Sequence, residues 1–147
     1  MARPNPRARV ARPHRLGLYV SAGGVWLSGV VWLALHWWPR RPDVFGLTRH
    51  PVEPWTLIAH AAFGVVVTWL FGLLWGTHVR LGWLLRQRRT SGVIVIAVLI
   101  ALVLSGFVLY YVGDERARTA TSLFHWIVGL VALPILITHR RAQQIAP

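Results

Sequence analysis

The sequence contains no cysteine and no lysine, and it has only four acidic residues among 147. Without cysteine, disulfides, iron–sulfur clusters and thiolate catalysis are excluded, so a metal bound to this chain needs histidine as its ligand. Charged residues make up 14% of the chain and hydrophobic residues 55%, which is too little charge for the polar surface of a soluble domain. We therefore expect a lipid bilayer to surround most of the protein.

Four apolar stretches are each long enough to cross a bilayer, which takes about 20 helical residues. They cover residues 16–38, 55–79, 92–112 and 121–139. The first stretch is too long for a cleaved signal peptide and lacks a small-residue cleavage site. The sequence thus predicts an all-α protein, with one integral membrane domain over residues 1–147 that is built as a four-helix bundle.

The charges predict the orientation of this bundle. All 16 basic residues are arginines, and eleven of them lie in the N-terminal tail, the middle loop and the C-terminal tail. The other two loops hold five arginines and every acidic residue, namely Asp43, Glu53, Asp114 and Glu115. By the positive-inside rule, both termini are cytoplasmic, in a multi-pass protein of the prokaryotic cytoplasmic (inner) membrane. Because the arginines lie between apolar blocks, the net charge of +12 indicates topology and not nucleic-acid binding.

Four histidines lie near the ends of two spans, His60 and His78 on the second and His125 and His139 on the fourth. These two spans run in the same direction, so His60 and His125 share the outer end, and His78 and His139 share the inner end. At 100° per residue, gaps of 18 and 14 residues bring each second histidine to within about 40° of the first. Two facing imidazole pairs suit six-coordinate haem iron. The alternative is that the histidines are interfacial side chains that reach for lipid headgroups.

Two short motifs recur along the chain. Leu-Ser-Gly occupies residues 27–29 of the first span and residues 104–106 of the third. His60 and His125 are each followed by a glycine four residues later, Gly64 and Gly129. We expect these two glycines either to leave space for a porphyrin beside an axial histidine or to allow close helix packing in lipid. The recurrence indicates two copies of a helix pair.

With these motifs the sequence resembles the bacterial four-helix b-type cytochromes, the group that includes cytochrome b561-like proteins and the cytochrome b subunits of nickel–iron hydrogenases. The resemblance covers all four spans and implies two b haems, or one at minimum, with His60, His78, His125 and His139 as axial ligands. It also implies electron transfer between a quinone pool and an extramembranous redox subunit or cytochrome. In that group the chain is a subunit of a hetero-oligomeric oxidoreductase and not a stand-alone enzyme.

Several alternatives stay open. The two histidine gaps differ by four residues, about 6 Å of helix rise, so the inner pair is level only if a helix tilts or bends at Pro134. His36 ends the first span near the level of His60, where it is a candidate to replace an axial ligand, line a quinone pocket or anchor the interface. The loop acids are expected to be solvated or, alternatively, to take protons from a quinol or to dock a cationic electron carrier. A haem-free membrane anchor or assembly subunit is the second function, and a small histidine-relay transporter is the third. The transporter is disfavoured because the spans contain no carboxylate.

Overall fold

The computed structural model describes residues 12–37, 41–44, 46–84 and 89–144. Its four long helices are α1 (Arg12–His36), α2 (Glu53–Leu74), α4 (Arg89–Tyr111) and α5 (Glu115–Gln144). Two short strands, β1 (Arg41–Asp43) and β2 (Gly46–Thr48), lie between α1 and α2. A π-helical turn (Trp75–Val79) and the short helix α3 (Arg80–Leu84) follow α2. The four long helices are long and apolar enough to cross a membrane.

The helices are arranged as two hairpins. Helix α1 packs along α2, α4 packs along α5, and α1 also contacts α5, which joins the two hairpins. The strands β1 and β2 pair antiparallel, with Arg41 opposite Thr48. Their turn contains Gly46 at a φ of 115°, a left-handed conformation that glycine adopts without steric cost. The sequence did not predict these two strands.

Helix α5 begins earlier than hydropathy predicts, at Glu115 instead of residue 121. Asp114 caps it, because its Oδ1 accepts the backbone N–H of Ala117 at 2.8 Å. The first turns are polar but helical, so a search for apolar residues does not detect them. At its other end α5 continues through Pro134 to Gln144.

The described side chains have an apolar exterior and a partly polar interior. The buried residues are Leu70, Leu74, Ser21, Glu53 and Ser105. By contrast, Trp69 is 64% exposed and Phe107 is 63% exposed. A soluble monomer rarely exposes contiguous apolar patches of more than a few hundred Å². This surface is compatible with a bundle surrounded by lipid.

Candidate functional site

His60 lies on α2 and points its ring towards α1. Its Nδ1 is 2.8 Å from the carbonyl oxygen of Val25. Since a carbonyl only accepts, Nδ1 carries the proton and donates it, so that in the neutral ring the lone pair is on Nε2. The ring fits because α1 has a glycine beside it: a Cβ on Gly29 would lie 2.9 Å from Cε1 of His60.

His125 occupies the matching place in the second hairpin, on α5 and against α4. The Oγ of Ser105 lies 2.8 Å from its Nδ1 and 2.7 Å from the carbonyl oxygen of Ala101. The serine hydroxyl has one proton, and it donates this proton to the carbonyl oxygen of Ala101, which can only accept. Oγ therefore accepts from Nδ1 of His125, whose Nε2 also keeps a lone pair. Here too a glycine lies beside the ring, since a Cβ on Gly106 would lie 3.5 Å from Cε1 of His125.

The two histidines from separate hairpins meet. The ring centroids of His60 and His125 are 6.1 Å apart, and the ring planes are inclined by 76°. In both rings Nδ1 is hydrogen-bonded to the protein. Metal-binding histidines are usually held in this way, because the second-shell bond fixes the tautomer and the ring orientation.

The pair is suited to a metal that needs only two ligands from the protein. Within the described residues, no group of three or more histidine, cysteine or acidic side chains is placed to hold a metal ion. Structural zinc takes four protein ligands, whereas haem iron has four porphyrin nitrogens and needs only two axial ligands. A metal–imidazole bond is about 2 Å long, so two rings on opposite sides of one metal have centroids about 6 Å apart. The spacing of His60 and His125 agrees with this value.

The glycines that follow the two histidines lie against the neighbouring helix of their own hairpin. A Cβ on Gly64 would lie 3.9 Å from a methyl group of Val25, and one on Gly129 would lie 3.8 Å from a methyl group of Leu102. These are ordinary van der Waals distances, and they fit the role of small residues in close helix packing. Space for a porphyrin beside these glycines stays a prediction. The matching contacts show that the sequence repeat is also a structural repeat.

The inner histidines have different surroundings. His139 on α5 has its Nδ1 3.0 Å from Oγ of Ser91 on α4. His78 lies in the π-helical turn. Because α2 ends as an α-helix at Leu74, the 100° rotation per residue that puts His78 on the face of His60 does not hold through this turn. Axial ligation by His78 and His139 stays a prediction.

His36, the alternative ligand, contacts an acid at the outer end of the bundle. Its Nδ1 is 2.9 Å from Oε1 of Glu53, the first residue of α2. The expectation that Glu53 is solvated is wrong, because Glu53 is only 4% exposed. Two sequence features indicate the contact. Glu53 lies seven residues, or two turns, before His60 on the same face of α2. His36 lies seven residues after Gly29 on the same face of α1, and Gly29 is the residue that His60 contacts.

The contacts of His36, of the His60–His125 pair and of His139 thus lie in three layers along the bundle. The outermost contains His36 and Glu53, the next contains His60 and His125, and the inner end contains His139 with Ser91. No protein-family model, no curated protein sequence and no solved structure matches the chain. The resemblance to four-helix b-type cytochromes stays a prediction that depends on the histidine and Ser-Gly positions.

Proposed function

We propose that the chain is a membrane-bound cytochrome b subunit that carries electrons between a quinone pool and a redox partner outside the membrane. The observation that supports this most directly is the pairing of His60 with His125 at 6.1 Å between ring centroids. Two b haems are proposed, an outer one on this pair and an inner one on His78 and His139. The outer haem has the stronger support, because the tautomers and the spacing both suit it.

The residues of this chain hold and orient the imidazoles. Val25 and Ser105 accept the Nδ1 protons of His60 and His125, so that both rings present Nε2 in the neutral form that binds iron. Keeping the rings neutral also avoids the cost of charge in a bilayer. When bound, haem would supply the one-electron chemistry, and the apolar helices would exclude water from it.

The proposed setting is the prokaryotic inner membrane with both termini in the cytoplasm, as the arginine distribution predicts. The described chain is almost entirely helical hairpins, with short connections between them. We infer an extramembranous redox subunit or cytochrome as the partner, within a hetero-oligomer.

The optical spectrum of the purified protein tests this proposal. We expect a Soret band and a b-type α band in the reduced-minus-oxidised spectrum, and pyridine haemochrome stoichiometry then distinguishes one haem from two. Colourless protein with no extractable haem contradicts the proposal. That result favours the haem-free anchor or assembly subunit, and a proton-flux measurement in vesicles then separates it from the transporter.

A further inference from the structure

An arginine and a tyrosine connect α5 and α1 at the inner end of the bundle. Cζ of Arg140 on α5 lies over the ring of Tyr19 on α1, 4.3 Å from the ring centroid. At this distance the guanidinium is attracted to the face of the aromatic ring. The ring face offers no oxygen acceptor, so this contact positions Arg140 without taking the N–H donors with which a guanidinium binds anions.

An apolar groove of about 220 Å³ lies between α1 and α5, and this pair forms part of its wall. The other lining residues are all apolar, namely Ala22, Leu133, Leu136 and Ile137. Because Ala22 has only a methyl side chain, α1 leaves room beside α5 at this level. Leu133 lies seven residues before Arg140, so the groove extends about 10 Å from the arginine towards the middle of the span. The groove therefore has one cationic end and an apolar length.

The positive charge at this end is not balanced by an acidic side chain of the protein. Arg15 lies one turn before Tyr19 on the same face of α1 and is exposed, which adds a second cation. The acids of the sequence all lie at the outer end, at Asp43, Glu53, Asp114 and Glu115. Glu115 begins α5 and Arg140 lies near its end, roughly 40 Å further along at 1.5 Å per residue. An anion that neutralises Arg140 therefore comes from the surroundings of the bundle.

The groove is separate from the histidines of the proposed electron-transfer site. His139 has its Nδ1 3.0 Å from Oγ of Ser91 on α4, whereas the next residue, Arg140, contacts α1. Consecutive helical residues are rotated by 100°, which puts these two side chains on different faces of α5. A molecule in the groove thus lies where the two hairpins meet and does not replace a histidine contact.

We propose that the α1–α5 groove binds one anionic phospholipid, with its phosphate on Arg140 and an acyl chain between the two helices. The ligand class follows from the two parts of the site. Arginine binds phosphate oxygens through paired N–H donors, and the apolar walls suit an alkyl chain. The cytoplasmic leaflet, where the arginines place this end, is the leaflet that carries anionic lipid. The proposal needs the helices to cross a membrane, and it does not need haem.

Native mass spectrometry of the full chain, released from detergent micelles, tests the site without any substitution. Phosphatidylglycerol should bind as one saturable adduct, roughly fivefold more tightly than phosphatidylcholine with the same acyl chains, since one arginine near anionic lipid contributes about this factor. Inorganic phosphate in large excess should not displace it. Equal binding of the two lipids overturns the proposal. Displacement by inorganic phosphate also overturns it, because the site is then a phosphate site that does not use the groove.

A charge variant tests the cationic end. Arg140→Gln should weaken phosphatidylglycerol binding roughly fivefold and leave phosphatidylcholine binding unchanged. Arg118→Gln is the matched control, because it removes the same charge from an exposed position near the outer end of α5. If both variants weaken binding equally, net charge attracts the lipid and the site is overturned.

A groove variant tests the apolar length. Ala22→Leu fills the groove without a change of charge and should weaken phosphatidylglycerol binding roughly tenfold, the effect of losing contact with about two buried methylene groups. Ala97→Leu, at an exposed position on α4, should bind as the wild type does. Wild-type affinity in Ala22→Leu overturns the proposal, as does a dimer of lipid-free protein that excludes phosphatidylglycerol. If Arg140→Gln loses its helix content, Ala22→Leu and the two wild-type lipids still decide.

The outcomes separate this site from the proposed function. Failure of the lipid measurements leaves the cytochrome proposal intact, because no histidine takes part in them. Colourless protein contradicts the cytochrome proposal, and the same lipid titrations then still decide whether the groove binds an anionic phospholipid.

Discussion

Trp26 of α1 donates its indole N–H to the backbone carbonyl oxygen of Leu130 on α5, at 3.2 Å. Leu130 precedes Pro134 by four residues, and proline has no N–H to give to that carbonyl. In the core of a bilayer no water would replace the missing donor, and the indole of Trp26 supplies one from the neighbouring helix. Trp26 therefore joins the two hairpins at the point where Pro134 interrupts the hydrogen bonds of α5.

Replacing Trp26 by phenylalanine removes this donor and should destabilise the bundle by about 1 kcal/mol. The loss should be smaller in a Pro134→Ala background, because the restored backbone N–H can bond to Leu130. Unfolding by denaturing detergent measures both values, and Trp69→Phe, at an exposed position, is the control. Equal losses in the two backgrounds would show that the bond to Leu130 contributes nothing.

The two glycines beside the histidines should respond differently to alanine. At Gly29 the new Cβ would be 2.9 Å from Cε1 and 3.0 Å from Nδ1 of His60, so the ring must move. We expect Gly29→Ala to lose about 1–3 kcal/mol of stability, the usual cost of overpacking, and to impair the His60 site. At Gly106 the matching distance is 3.5 Å, which is ordinary contact.

Gly106→Ala should therefore be neutral or should stabilise α4 by up to about 1 kcal/mol, because alanine is the better helix former. Thermal unfolding of the two variants in the same detergent gives the comparison. A Gly106→Ala variant that is as unstable as Gly29→Ala contradicts the distances around the two histidines.

Ser105 should control the orientation of His125, because its Oγ accepts the Nδ1 proton of that ring. If haem binds as proposed, Ser105→Ala should weaken its binding by roughly 10–100-fold, as second-shell losses do at metal sites, and should shift the reduction potential of the haem proposed on His60 and His125. Ser105→Thr keeps the hydroxyl and should restore both. Ser21 is the control from the first hairpin, since its hydroxyl donates to the carbonyl oxygen of Gly17 on its own helix at 2.6 Å.

Haem titration of the apoprotein and a spectroscopic redox titration measure these effects. If Ser21→Ala and Ser105→Ala change haem affinity equally, the serine acts through its helix and not through His125.

The predicted topology is testable because the chain has no cysteine of its own. Single cysteines at Gly113, between α4 and α5, and at Thr90, in the first turn of α4, should lie on opposite sides of the membrane. A membrane-impermeant maleimide should label Gly113→Cys in intact cells. It should label Thr90→Cys only after the membrane is permeabilised, and the reverse pattern would place the termini outside.

The long helices were predictable because apolar runs are bounded by arginine, proline and acidic residues. The start of α5 was not, because Asp114 and Glu115 make a polar capped turn that hydropathy does not detect. The end of α2 was not either, since a π-helical turn over Trp75–Val79 leaves no signal in residue spacing. Composition predicts that a helix forms. The residues at which its hydrogen-bond pattern begins, ends or changes depend on packing.

The candidate site was predictable in its histidines and not in their partners. Same-direction spans and helix periodicity put His60 and His125 at one level, and the structure brings their rings together. The Leu-Ser-Gly repeat marked Gly29 and Ser105 without revealing that they touch these rings. Glu53 was missed because a loop acid is usually solvated, and only its spacing from His60 indicates a buried position.

Haem content of the His60→Ala and His125→Ala variants tests whether these two histidines bind one haem between them. Each variant should lose one equivalent of haem relative to the wild type by the pyridine haemochrome assay, while His14→Ala, at an exposed position in α1, should lose none. If both rings bind the same iron, the two variants should lose equal amounts of haem. Haem content that is unchanged when both histidines are replaced together would show that neither histidine binds haem.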